Sequence, residues 1–100
     1  VLWGYFMYKN ITTDELKGLI GRVNIIDIRD NYLYKNGSVP TSKNVPINFL
    51  LFNPSDYLKK GSVYYLYCTQ GMQSVKACQQ LTSMGYDVVN VLGGYNSYKN

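Results

Sequence analysis

The run Ser62-Val63-Tyr64-Tyr65-Leu66-Tyr67, continued by Cys68-Thr69-Gln70-Gly71-Met72-Gln73-Ser74, decides how this chain is read. Val63 to Tyr67 are apolar or aromatic without a break, the pattern of a strand covered on both faces. The strand runs into a cysteine, and a glycine three residues later allows a tight backbone turn. Beyond that turn the period changes. At about 100° per residue, Ala77, Cys78, Leu81 and Met84 share one helical face while Lys76, Gln79, Gln80 and Ser83 share the other. Ser74 is expected to cap or open this helix, reaching about Met84, and Gly85 to end it. A cysteine held between a buried strand and a helix N-terminus meets backbone N–H groups suited to an anion.

Outward from this unit the same alternation recurs. Thr12 and Glu15 have the spacing of a capping box, predicting a short helix over Thr13 to Ile20 that stops near Gly21. Asn24-Ile25-Ile26-Asp27-Ile28 reads as a strand, with a carboxylate that must find hydrogen-bond donors if it is buried. Asn36-Gly37-Ser38-Val39-Pro40 reads as a turn. Lys43 to Ile47 leaves room only for a short strand, because Pro46 lacks an N–H. Phe49 to Phe52 and Pro54 to Leu58 are short helix candidates, Asp87 to Val91 is another buried strand, and Gly93-Gly94 a turn before a final stub. Strands alternating with helices point to a mostly parallel sheet with right-handed crossovers.

Length and composition bound the rest. One hundred residues support one small core, and an apolar share of 46% argues against disorder. The formal charge of +4 is spread along the chain, with neither a basic stripe nor a zinc-finger spacing, so no nucleic-acid partner is expected. Two cysteines ten residues apart and no histidine exclude the ordinary zinc patterns and make a disulfide framework a poor fit. No metal and no cofactor is expected, and a reducing, cytoplasmic compartment fits best. Residues 1–10 are set apart from a domain over 11–100. Val1 to Tyr8 are apolar and aromatic yet too short to span a bilayer. They are read first as an edge strand or docking arm, and second as the remnant of a membrane anchor that would tether the domain.

Several markers, taken in order, resemble the rhodanese family: Ile11-Thr12 leading to Glu15-Leu16; Ile26-Asp27-Ile28-Arg29; Gly37-Ser38-Val39-Pro40; Val45-Pro46; Cys68, Gly71 and Ser74 at their spacing; Leu81 with Gly85-Tyr86; and Val91 with Gly93-Gly94 and Tyr98. The resemblance covers nearly the whole chain. It implies an α/β fold with five largely parallel strands in the order 1-5-4-2-3, helices on both faces, and the active loop after the fourth strand. It also implies a sulfurtransferase that moves sulfur from thiosulfate or a persulfide donor to cyanide, a thiol or a protein partner. Cys68 would be the nucleophile and carry the sulfur as a persulfide, within an anion-binding loop of Thr69, Gln70, Gly71, Met72, Gln73 and Ser74. Asp27 and Arg29 would brace that loop, and Gly93-Gly94 would lead into a helix beside the pocket, with Tyr98 as an apolar plug. Cys78, by its place on the helix, is a packing residue.

Two positions depart from the family pattern. Gln73 stands where thiosulfate-using members commonly have arginine, so an anion would rely more on backbone amides. Ser38 follows Gly37 where histidine is frequent, at a position that supports the fold. Related phosphatases would need arginine at residue 74, which is Ser74, so the six-residue span from Cys68 to Gln73 fits the smaller, sulfur-handling loop. The alternative function is a rhodanese-fold binding or regulatory module with little turnover.

Overall fold

A computed structural model describes residues 7–100. Five strands form one parallel sheet: β1 (Lys9–Ile11), β2 (Asn24–Asp27), β3 (Lys43–Asn44), β4 (Val63–Tyr67) and β5 (Asp87–Val91), in the order β1-β5-β4-β2-β3. The helices are α1 (Thr13–Lys17), α2 (Asn31–Asn36), α3 (Ile47–Phe52), α4 (Met72–Ser83) and α5 (Gly94–Tyr98), with a 3-10 turn at Pro54–Asp56. This is the expected α/β architecture and strand order.

The unbroken apolar runs are explained by coverage on both faces. Along β4, Tyr64 and Leu66 point with Ile26 and Val88 into a core closed by Leu50, Ala77, Cys78 and Leu81 from α3 and α4. Tyr67 points the other way and joins Ile25, Val91 and Leu16, with Tyr95 and Tyr98 from α5 packed alongside. Alternate residues of one strand therefore feed two cores. Because all five strands run in one direction, their carboxyl ends share one edge. There β2 ends at Asp27, paired with Tyr67 at the end of β4, and the Cys68 loop begins one residue later. Open parallel sheets place ligands at this edge.

Several local expectations are corrected. The first helix is Thr13–Lys17, closed by Gly18, whose N–H donates to the Glu15 carbonyl while that of Leu19 donates to Leu16; its capping box is formed as read, with Thr12 N–H donating to Glu15 at 2.9 Å. Pro54 to Leu58 is reduced to a single 3-10 turn. Ser74 does not open α4: Gly71, with φ of 101°, is the N-cap, and the helix begins at Met72. Met84 lies past the last turn and is 40% exposed, unlike Ala77, Cys78 and Leu81 on the face it was grouped with. The helix α2 was missed altogether.

Val1 to Phe6, and with them most of the apolar N-terminal reading, lie outside the described residues. Met7 and Tyr8 are not in a strand, and the edge strand starts at Lys9. Lys9 and Asn10, placed in the arm from sequence, pair with Val89 and Asn90 in the sheet. Among the described residues, no helix is long and apolar enough to cross a membrane.

Candidate active site

Cys68 is the first residue after β4 and is only 3% exposed, although it borders a pocket of about 360 Å³. The loop beyond it curls around the sulfur. The N–H of Gly71 donates to Sγ at 3.0 Å and that of Ser74 at 3.3 Å. Both donors lie at the start of the twelve-residue helix α4, whose positive end faces the sulfur. Two backbone donors thus converge on one sulfur.

What turns those amides inward is the far side of the loop. The carbonyls of Cys68 and Thr69 accept from the N–H groups of Tyr95 and Asn96 at 2.8 and 3.0 Å, so the first turn of α5 holds the loop's oxygens outward. Gly94 makes this approach feasible, since a Cβ there would run into the carbonyl oxygens of both loop residues. Gly71 is constrained in turn by its positive φ and by the backbone N of Gly93, 3.2 Å from where a Cβ would stand. The helix expected after Gly93-Gly94 is thus the clamp of the loop.

The remaining loop residues divide by side-chain position. Thr69, Gln70, Met72 and Gln73 are exposed, and their side chains make no hydrogen bond among the described residues. They line the pocket together with Leu33, Ile47 and Arg29. Ser74 is fully buried beneath the sulfur: its Oγ lies 3.5 Å from Sγ and donates to Asn90 Oδ1.

Asp27 and Arg29 lie at the end of β2. The Asp27 carboxylate is wholly buried and receives Arg29 Nε at 3.0 Å, Arg29 Nη2 at 2.7 Å, the Arg29 N–H at 2.9 Å and the Tyr67 hydroxyl at 2.7 Å. Burial works against the Arg29 charge, but the bonds and charge of Asp27 outweigh it and hold its pKa above the usual value. Burial, reinforced by Asp27, also raises the Tyr67 hydroxyl well above the ordinary tyrosine range. Arg29 further donates to the Gly37 carbonyl at 2.7 Å, and the Tyr67 hydroxyl accepts from the Val39 N–H at 3.0 Å. The pair therefore fixes the Gly37–Val39 segment directly. It reaches the Cys68 loop at one remove, through Tyr95, over whose ring the guanidinium stacks at 4.3 Å.

Cys78 is fully buried, and burial, with the nearby Cys68 adding to it, pushes its thiol up to about 12. That matches a packing role. Tyr98 stacks on Tyr95 at 5.9 Å as part of the second core. Among the described residues, no group of three or more metal-binding side chains occurs. The sequence reading missed Tyr95, Tyr67 and Asn90. Asn90 carried a signal that went unread: like Asp27, it is a polar residue interrupting an apolar strand.

A family model for the rhodanese-like domain matches residues 12–100. The chain belongs to the rhodanese-like family. A rhodanese-like domain protein from Staphylococcus aureus has a solved structure that matches with a TM-score of 0.82 and 33% identity, covering 90% of each chain. YtwF of Bacillus subtilis, provisionally named a sulfurtransferase, is 28% identical over 94 residues, which cover 91% of this chain and 90% of that protein. The tRNA uridine(34) hydroxylase of Buchnera aphidicola is 34% identical over 80 residues, or 74% of this chain but 26% of that protein. As a rhodanese-like domain, the chain places its cysteine in a loop built by α4 and α5 together.

Proposed function

We propose that this rhodanese-like domain is a sulfurtransferase that carries sulfane sulfur as a persulfide on Cys68. The observation that carries the reading is the pair of backbone N–H donors from Gly71 and Ser74 converging on Sγ. In the first step the thiolate attacks the outer sulfur of the donor. An S–S bond forms to Cys68 while the donor's S–S bond breaks, and the electron pair leaves with sulfite or a thiolate. In the second step an acceptor thiolate or cyanide attacks that outer sulfur, and Cys68 departs as the thiolate. No electron is gained or lost overall, and no cofactor is called for. The amides that meet the thiolate also meet the outer sulfur of the persulfide, another anion at neutral pH.

The pocket favours a persulfide donor over thiosulfate. Its one cation among the described residues, Arg29, is already bound to Asp27, and Asp30 also lines the pocket. Gln73 offers a hydrogen bond but no charge. A dianion would meet only amide dipoles, whereas a persulfide brings a single charge. A cytoplasmic setting, with free thiols available as acceptors, suits the same chemistry, and an upstream tether would leave it unaltered.

The test is intact mass after incubation with thiosulfate and, in parallel, with a persulfide donor. The expected result is a gain of one sulfur atom in the wild type, greater with the persulfide, and no gain in Cys68→Ser. Absence of the adduct with every donor, together with a protein partner retained by Cys68→Ser, would replace the enzyme with a binding module.

A further inference from the structure

Beneath Cys68 runs a chain of side chains that the two-amide account leaves unused. The Cys68 thiol donates to Ser74 Oγ at 3.5 Å, the Ser74 hydroxyl donates to Asn90 Oδ1 with the Gly71 carbonyl at 3.2 Å as a second acceptor, and Asn90 Nδ2 donates to Asn10 Oδ1 at 2.9 Å. Ser74 and Asn90 are wholly buried, while Asn10 sits exposed on the edge strand β1. Every link has a direction, and the observed direction suits a neutral thiol: the proton of sulfur points down the chain, and each group below passes its own proton onward.

An anionic sulfur has no proton to give and calls for a donor instead. The Ser74 hydroxyl can supply one only by leaving its acceptors, Asn90 Oδ1 and the more distant Gly71 carbonyl. A side-chain amide has an oxygen on one branch and an NH₂ on the other, so turning it exchanges acceptor for donor without moving any backbone. We propose that Asn90 is a positioning residue whose amide takes two orientations, following the charge on Cys68 and sending the Ser74 hydroxyl to the sulfur when the sulfur is anionic. In the second orientation Asn10 Nδ2 donates to Asn90 Oδ1, Asn90 Nδ2 donates to Ser74 Oγ, and the Ser74 hydroxyl donates to Sγ. The thiol proton leaves to solvent through the mouth of the pocket. Both states satisfy the same three contacts, and the exposed Asn10 side chain is free to turn with its partner. A hydrogen bond to an anion is stronger than one between neutral groups, so the sulfur's charge selects the orientation.

The role of this relay in sulfur transfer rests on the function proposed above, but its test does not use sulfur transfer. The rate of Cys68 alkylation by iodoacetamide at neutral pH reads the anion directly. Asn10→Asp can only accept, holds Asn90 in the thiol orientation, and slows alkylation about threefold; Asn10→Lys can only donate and speeds it by a similar factor. Added charge alone would likewise slow the first and speed the second, so the deciding measurement repeats both substitutions in Asn90→Leu. That variant itself loses about tenfold, the scale of one hydrogen bond to a charged group. In it, the two Asn10 substitutions have no effect. Effects of equal size with and without the Asn90 amide overturn the relay. Should Asn90→Leu fail to fold, proton contacts of the Asn90 amide in the wild type decide by NMR. Contacts that move from Asn10 to Ser74 as Cys68 ionises support it, and contacts that stay with Asn10 refute it. If the wild type takes up no sulfur from any donor, the carrier function falls while these rates still decide the relay.

Discussion

Replacing Asp27 by asparagine tests the buried network at its most exposed assumption, that the carboxylate is held by need and not by accident. The substitution keeps size and shape but removes one acceptor and the negative charge. Arg29, 6% exposed, then keeps its guanidinium between Gly37 and the rings of Tyr95 and Tyr67 with no counter-charge. Removing one partner of a buried ion pair costs about 3–5 kcal/mol, far more than an exposed pair is worth. A domain of this length has roughly 5–15 kcal/mol in all, so a large share is at stake. The melting temperature should fall by at least about 12 °C, taking about 4 °C per kcal/mol for a domain of this size. Urea unfolding of the wild type, Asp27→Asn and the double variant Asp27→Leu with Arg29→Met gives the assay. The double variant should recover much of the loss, because neither charge is then left alone. A loss below about 1 kcal/mol in Asp27→Asn would refute the argument and mean that water reaches Arg29. Sulfur loading should weaken in the same variant without disappearing, since Arg29 is linked to the Cys68 loop through the rings of Tyr95 and Tyr67.

Gln73→Arg should raise the second-order efficiency with thiosulfate while leaving the melting temperature unchanged; equal or lower efficiency in the folded variant would count against the charge argument. Gly94→Ala should slow Cys68 alkylation and lower stability by more than about 1 kcal/mol, because the new Cβ meets two loop carbonyls and φ is 58°. Alkylation at neutral pH should label Cys68 in the native protein and reach Cys78 only after unfolding, as peptide mass mapping would reveal. Cys78 also carries a pH dependence whose sign follows from its raised value. The unfolded chain loses that proton from about pH 9 upward while the fold retains it to about 12, so stability is complete below 9 and declines above it. The added slope is about 1.4 kcal/mol per pH unit, and Cys78→Ala should flatten urea midpoints measured across that window.

Where burial is two-sided and continuous, the sequence announced itself. β4 and β5 could be read from their apolar runs, and the buried side of α4 from Ala77, Cys78 and Leu81 at helical spacing. The reactive loop was legible because a cysteine, a glycine and a serine fall between those two patterns. Helix α2 was not, since it buries no residue and its Asp30 N-cap makes no side-chain bond, leaving neither an apolar face nor a capping signature. Likewise α4 starts at Met72 because the Gly71 backbone turns there, an event with no side-chain marker to distinguish it from a start at Ser74. The clamp by α5 joins residues more than twenty positions apart, and only the pairing of β4 with β5 brings them together. Asp27 and Asn90 show the middle case. Each interrupts an apolar strand, which tells that a partner exists but not which one.

That clamp also gives the domain a schedule. A growing chain acquires Cys68, the strand before it and the helix after it well before Gly94 to Tyr98 emerge from the ribosome. Until then nothing holds the carbonyls of Cys68 and Thr69 outward, and β1 lacks its neighbour β5 in the sheet. Cys68 is thus made early, and the segment that shapes its loop arrives late.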